Sequence, residues 1–229
     1  MKLKLNRTLL SQVNWDSAAI SPLASVVHRF SVPGQYKLMI LAGEKLDRIG
    51  VIDLLMDEKA PNEQLNINLE AVAKEKFSKS NQIAHFGNTN KPVVFYASGG
   101  TQKYVVLAYQ YDREKEAKVF DSRQLQAGDT FIVNPIISGN YSFSSSQGGK
   151  GEIMINKKSG RSLPTQGSVV ECTEDGFKPD KVKSDFLQPI FFQIKTKKPL
   201  RITMKFEKRL DGGVIRKVKK TKKQKAKKK

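Results

Sequence analysis

The stretch QAGDTFIVNPIISGNYSFSSSQGGKGEIMIN, Gln126 to Asn156, reads as three strands with their turns written out. Gly128-Asp129 opens a strand over Thr130 to Asn134, and Pro135 with Ser138-Gly139 breaks it. Tyr141 and Phe143 then alternate with Ser142 and Ser144, Gly148-Gly149 supplies a second turn, and Ile153 and Ile155 alternate with Glu152 and Asn156. Successive side chains of a strand point to opposite faces, so this alternation gives each strand one apolar and one polar face.

The same pattern extends outward. Gln35 to Ala42 and Ile49 to Met56 read as strands joined by Gly43 to Arg48, after a Pro33-Gly34 turn. Leu65, Ile67 and Leu69 alternate with asparagines, and Leu69, Val72, Ala73 and Phe77 then fall at helical spacing. With Asn68 as cap, they predict one amphipathic helix over about Asn68 to Ser80. Val93 to Ala97 and Lys103 to Tyr111 flank Ser98-Gly99-Gly100-Thr101 and predict a hairpin. Ile190 to Thr196 and Leu200 to Lys208 predict another, around Lys197-Lys198-Pro199. Asn14 to Arg29, alanine-rich but interrupted by Pro22, predicts a short irregular helix with Trp15 as its anchor. Asp112 to Lys118 predicts a solvated charged turn.

About ten strands with turns between them and one short helix predict an all-β chain, an antiparallel Greek-key β-sandwich. Residues 1–30 form the irregular N-terminal segment, 31–213 the sandwich body and 214–229 a disordered basic tail. VPGQYKLMI (Val32 to Ile40) echoes ISGNYSFSS (Ile137 to Ser145), each with Gly, one spacer and Tyr at a strand start. The echo marks either two packed sandwich halves, with a boundary near 112–122 or 157–167, or one turn solution used twice. A tyrosine so placed often ties a Greek-key corner through its hydroxyl.

The opening stretch resembles the C-terminal hairpins of cupredoxins, L-x-x-G-[DE]-T-F followed by G-x-Y-x-[FY] and G-x-I-x-I. The matching residues are Leu125, Gly128, Asp129, Thr130 and Phe131, then Gly139, Tyr141 and Phe143, then Gly151, Ile153 and Ile155. Gly176-Phe177-Lys178-Pro179 more faintly resembles a cupredoxin N-terminal segment. The resemblance implies a cupredoxin-like sandwich, with a jelly roll as the nearest alternative. Its copper chemistry needs a thiolate and two imidazoles converging on one metal, and the family places Cys, His and Met between the last two strands. Ser144 to Lys150 stand there instead. Cys172, His28 and His85 are the whole supply of thiol and imidazole, so neither metal nor other cofactor is expected.

No catalytic residues emerge. Gly148-Gly149-Lys150-Gly151 enters a strand rather than a helix, which removes a phosphate-binding loop. Glu171, Glu174 and Asp175 around Cys172 read as a solvated turn. No Ser/His/acid elbow, HExxH or EF-hand spacing occurs. A single cysteine excludes an internal disulfide, and the only apolar run in MKLKLNRTLLSQVNW is Leu9-Leu10. Cytoplasmic or other intracellular residence is therefore expected, without a signal peptide or transmembrane segment.

The net charge of +19 is unevenly spread. Arg216, Lys217, Lys219, Lys220, Lys222, Lys223, Lys225, Lys227, Lys228 and Lys229 crowd sixteen residues that contain no acid. Such a run attracts phosphates through counterion release and needs no sequence code. The expectation is a non-enzymatic binding or assembly module whose tail contacts a polyanion, RNA or DNA in preference to an anionic membrane. A sheet face or edge would meet a protein partner or a second copy. A shell, fibre or virion protein with its tail toward nucleic acid, and a degenerate cupredoxin-like small-ligand binder, are the alternatives. A plain solubility tail is the blander reading.

Overall fold

A computed structural model describes residues 9, 11–74, 83–112, 115–157 and 166–210. In chain order come β1 (Trp15–Asp16), β2 (Ala24–His28), β3 (Gly34–Ala42), β4 (Asp47–Asp57), β5 (Leu65–Asn68), α1 (Leu69–Lys74), β6 (Ile83–Asn88), β7 (Val93–Tyr96) and β8 (Tyr104–Asp112). There follow β9 (Lys115–Asp121), β10 (Thr130–Val133), β11 (Gly139–Ser145), β12 (Lys150–Asn156), β13 (Ser168–Thr173) and β14 (Gly176–Lys178). β15 (Lys181–Asp185), β16 (Ile190–Ile194) and β17 (Ile202–Lys208) complete the described chain, which is nearly all β with one short helix.

The strands form three sheets. Two have five strands, ordered β6-β4-β3-β8-β9 and β1-β17-β11-β12-β15, and one has seven, ordered β14-β13-β16-β10-β2-β7-β5. Alternate residues of most strands enter one contiguous core. Phe95 of β7 and His28 of β2 stack on Phe120 of β9, at 5.8 and 4.2 Å, so one part of the seven-stranded sheet packs on the first five-stranded sheet. Phe192 of β16 meets Phe143 of β11 at 5.3 Å, and so joins another part to the second.

One pairing scheme occurs twice. β3 pairs antiparallel with β4 and β8 while β4 pairs parallel with β6; β11 pairs antiparallel with β12 and β17 while β12 pairs parallel with β15. In the seven-stranded sheet β2-β7-β5 repeats as β10-β16-β13, with the same strand directions. The antiparallel pair β2–β10 joins the two sets. Val26 lies opposite Phe131, its own equivalent at an offset of 105 residues, so a pseudo-twofold axis passes through that pair.

Local chemistry repeats with the strands. Tyr36 donates its hydroxyl to the Val32 carbonyl at 2.6 Å, and Tyr141 donates to Ile137 at 2.7 Å, four residues back in each case. Burial pushes both phenol pKa values up. Trp15-Asp16-Ser17 has its counterpart in Phe120-Asp121-Ser122. The buried Ser17 hydroxyl accepts from the Ile202 amide at 2.9 Å, and the buried Ser122 hydroxyl from Val106 at 3.0 Å. Leu23 and Gly128, again 105 apart, both take left-handed backbone at φ 65° and 94°. Gly139 is required by close approach, because a Cβ there would lie 2.5 Å from the Lys208 carbonyl oxygen.

The leading strands are exchanged. β1, which precedes the first set, pairs with β17 of the second, and β9, which precedes the second, pairs with β8 of the first. The paired bridges Ile20–Tyr104 and Leu125–Leu200 sit at equivalent places. Trp15, buried in β1, donates Nε1 to the Pro22 carbonyl at 3.2 Å and packs on Tyr141.

The symmetry is broken inside. At one end of the β2–β10 ladder, His28 Nδ1 lies 2.6 Å from Asp129 Oδ1, and the Gln126 amide donates to Asp129 Oδ2 at 2.8 Å. The pseudo-twofold equivalent of that pair is Ala24 opposite Val133, wholly apolar.

Several expectations are corrected. The sheets are mixed, with four parallel pairs, rather than antiparallel. Within each parallel pair an intervening strand belongs to a different sheet, which supplies the crossover length that parallel strands need. Asn14 to Arg29 is not helical but holds β1 and β2, and the charged Asp112 to Lys118 segment includes the start of β9. β7 and β8 lie in different sheets, as do β16 and β17, so neither pair is a hairpin. The helix is described over Leu69–Lys74, with Asn68 Oδ1 capping the Glu70 and Ala71 amides; residues 75–80 of the expected helix lie outside the described residues.

Tyr36→Phe and Tyr141→Phe should each cost about 1 kcal/mol, a typical net hydrogen-bond value, and by similar amounts, in urea denaturation. Asp129→Ala, which strips His28 and the Gln126 amide of a buried partner, should cost about 3 kcal/mol. Asp175→Ala, at an exposed ion pair with Lys178, should stay within about 0.5 kcal/mol of the parent.

Candidate functional site

Two grooves occupy equivalent positions on the outer faces of the five-stranded sheets. The first, about 420 Å³, is lined by Gln35, Lys37, Asp53, Leu55, Ala84, Phe86 and Tyr111, together with Tyr36, Leu54 and His85. The second, about 760 Å³, is lined by Asn140, Ser142, Glu152, Met154, Lys181, Lys183, Glu207 and Lys208, with Tyr141, Ile153 and Val182. Register fixes the equivalence. Asp53 faces Ala84 and Leu55 faces Phe86, as Glu152 faces Lys181 and Met154 faces Lys183. Lys37 opposes Asp53 and Tyr109, as Ser142 opposes Glu152 and Lys205.

Their chemistry has diverged. The first groove is aromatic and nearly balanced in charge. Phe86 is 66 % and Tyr111 41 % exposed, and the Lys37 ammonium sits 4.9 Å from the Tyr111 ring centroid. Hydrogen bonding to Tyr111 is the main influence that raises the Lys37 pKa. In the second groove the positions of Ala84 and Phe86 carry Lys181 and Lys183, both exposed. Glu207 accepts the Ser142 hydroxyl. Asn140 stands at an irregularity in the β11–β17 ladder, and its Oδ1 is, among the described residues, the buried side-chain polar atom without a hydrogen-bond partner.

Charge follows the same asymmetry. Residues 1–121 carry sixteen Lys or Arg against thirteen Asp or Glu, and residues 122–210 carry fifteen against eight. The ten tail cations from Arg216 to Lys229 lie outside the described residues. Their approach is described: β17 ends at Lys208, on the rim of the second groove.

The serine-rich loop from Ser144 to Lys150 is engaged in structural bonds. Ser144 Oγ lies 2.9 Å from Thr203 Oγ1, Ser146 Oγ accepts the Arg201 amide at 3.0 Å, and Gln147 donates to the Lys198 carbonyl at 2.8 Å. His28 belongs to β2, His85 to β6 and Cys172 to β13. Among the described residues no group of three or more His, Cys, Asp or Glu is placed to hold a metal ion. The Glu174 carboxylate is fully exposed and accepts the Lys197 amide at 2.8 Å, the main cause of its lowered pKa. No helix among the described residues is long and apolar enough to cross a membrane.

Burial pushes the Cys172 thiol up to about 12. Its thiolate should therefore be roughly a thousandfold scarcer than that of an exposed cysteine, and a thiol-specific disulfide reagent at pH 8 should label it at the rate of unfolding. Labelling of the native protein as fast as a free thiol would contradict this.

Comparison with known proteins found no matching family model, curated protein or solved structure.

Proposed function

We propose that this chain is a non-enzymatic binding or assembly module that holds a polyanion, nucleic acid in preference to an anionic membrane, through its lysine-rich tail. The observation that carries the reading is the one-sided charge: the second half and the tail are basic, and the tail follows a strand that ends at the lysine-bearing groove. Ten cations without acids can neutralise several phosphates at once, an attraction that weakens steeply with salt. The body serves as a rigid mount. Sheets facing one another across a shared core support reading each half as a cupredoxin-like or jelly-roll-like sandwich with Greek-key connections.

A second reading, a shell, fibre or virion protein, has its own support. Phe86 is largely exposed on the edge strand β6, and such an edge with an apolar side chain invites pairing with another copy. The small-ligand reading rests on the first groove, which is open and aromatic.

Removal of residues 214–229 should leave the folded body's circular dichroism unchanged. It should also lower the slope of log affinity against log salt for a single-stranded oligonucleotide by several units, at about 0.7 per lost phosphate contact. Equal slopes for the two proteins would rule out the tail as the polyanion contact.

A further inference from the structure

The pseudo-twofold makes each half a control for the other. One fold position, the outer face of the parallel strand pair, is built twice; in the first half its rim is Ala84 and Phe86, in the second Lys181 and Lys183. Alternate residues of a strand share a face and lie about 6.7 Å apart, so these two ammonium groups form a row along one wall. Lys208 of β17 stands on the opposite side, beyond β12 and β11. Three strand spacings put the walls about 14 Å apart. Ser142 and Asn140 form the floor between them.

We propose that this second groove is a track for the backbone of single-stranded nucleic acid, which the tail then extends. This rests on the polyanion reading above and assigns it a site on the folded body. Lysines on two facing walls suit a charged thread better than a planar membrane surface. Glu152 and Glu207 also line the groove; Glu152 lies opposite Lys181, and Glu207 is engaged by the Ser142 hydroxyl. They reduce the field without cancelling it, since Lys181, Lys183 and Lys208 outnumber them by one. The one aromatic in the lining, Tyr141, is buried, so bases find no exposed ring to stack on and binding is by charge without base preference. The first groove has the rings but sets its one lysine against Asp53, which makes it the poorer track.

The test uses the full chain with its tail intact. Lys181→Gln with Lys183→Gln should reduce the salt slope of binding to oligo(dT) and to oligo(dA) alike by about 1.4, two contacts at about 0.7 each. Lys181→Arg with Lys183→Arg should restore it. Lys45→Gln with Lys59→Gln removes the same charge from exposed positions in the first half and should change the slope little. An unchanged slope for the groove variant, or an equal loss in the Lys45/Lys59 variant, overturns the groove and leaves the tail reading standing. Failure of the parent chain to bind either oligonucleotide at low salt overturns both. Binding to phosphatidylserine vesicles that is lost with Lys181 and Lys183 and is not competed by oligonucleotide also overturns the track, in favour of a membrane.

Discussion

The antiparallel pairing of β2 with β10 is the contact on which the arrangement of both halves depends. Each of these strands is flanked on its other side by the third strand of its own set, β7 or β16. The pairing therefore turns two three-stranded pieces into one continuous sheet and removes two edges that would otherwise be exposed. Val26 and Phe131 meet at its centre, both fully buried. Because the axis passes through this pair, any twist or register error there would displace both five-stranded sheets together. The His28–Asp129 pair at one end has no polar counterpart at Ala24–Val133, and gives the ladder a unique polar end where perfect symmetry would leave two alike.

Repetition of the scaffold has freed its outer faces to differ. Inward positions keep their type across the halves: Tyr36 and Tyr141, Leu54 and Ile153, and Trp15 and Phe120 are all buried. Outward positions at equivalent register do not, as Lys37 against Ser142 or Phe86 against Lys183 illustrates. Packing density constrains the first group and leaves the second to solvent, charge and partners. A difference between two copies of one surface within one chain says more than either surface alone, since backbone and strand direction are held constant.

Where a strand has one wet face, the sequence displays it. β11, β12 and β17 alternate plainly, whereas β3 and β4 read as apolar runs, and the echo between Gly34-Gln35-Tyr36 and Gly139-Asn140-Tyr141 points to equivalent corners. β1 has only two residues, too few for a period, and β9 begins with Lys115 and Glu116, which read as a turn until the partner strand β8 is known. The β7–β8 and β16–β17 pairs mislead because short connections usually join neighbours, whereas here the chain passes between sheets. Parallel pairs such as β4–β6 are formed by residues about thirty positions apart in sequence, beyond the reach of periodicity. The grooves were hidden for the same reason. Lys181 and Lys183 follow the Gly176-Phe177-Lys178-Pro179 run, and nothing in their own neighbourhood links them to Lys208. The Trp/Phe-Asp-Ser triplets at 15–17 and 120–122 share the 105-residue offset of the tyrosine echo, but the groove walls do not, since Asp53 and Glu152 lie 99 apart and Ala84 and Lys181 lie 97 apart.

The exchange of leading strands gives the polypeptide a temporal asymmetry. As the chain leaves the ribosome, β9 emerges directly after β8 and can complete the first five-stranded sheet at once. β1 precedes every other described strand, yet its partner β17 is the last of them. Throughout that interval Trp15 lacks its ladder partner Met204, and Ser17 lacks the Ile202 amide that it receives in the finished fold. The N-terminal segment thus waits as an open clasp, and closing it on β17 is what seals the second half.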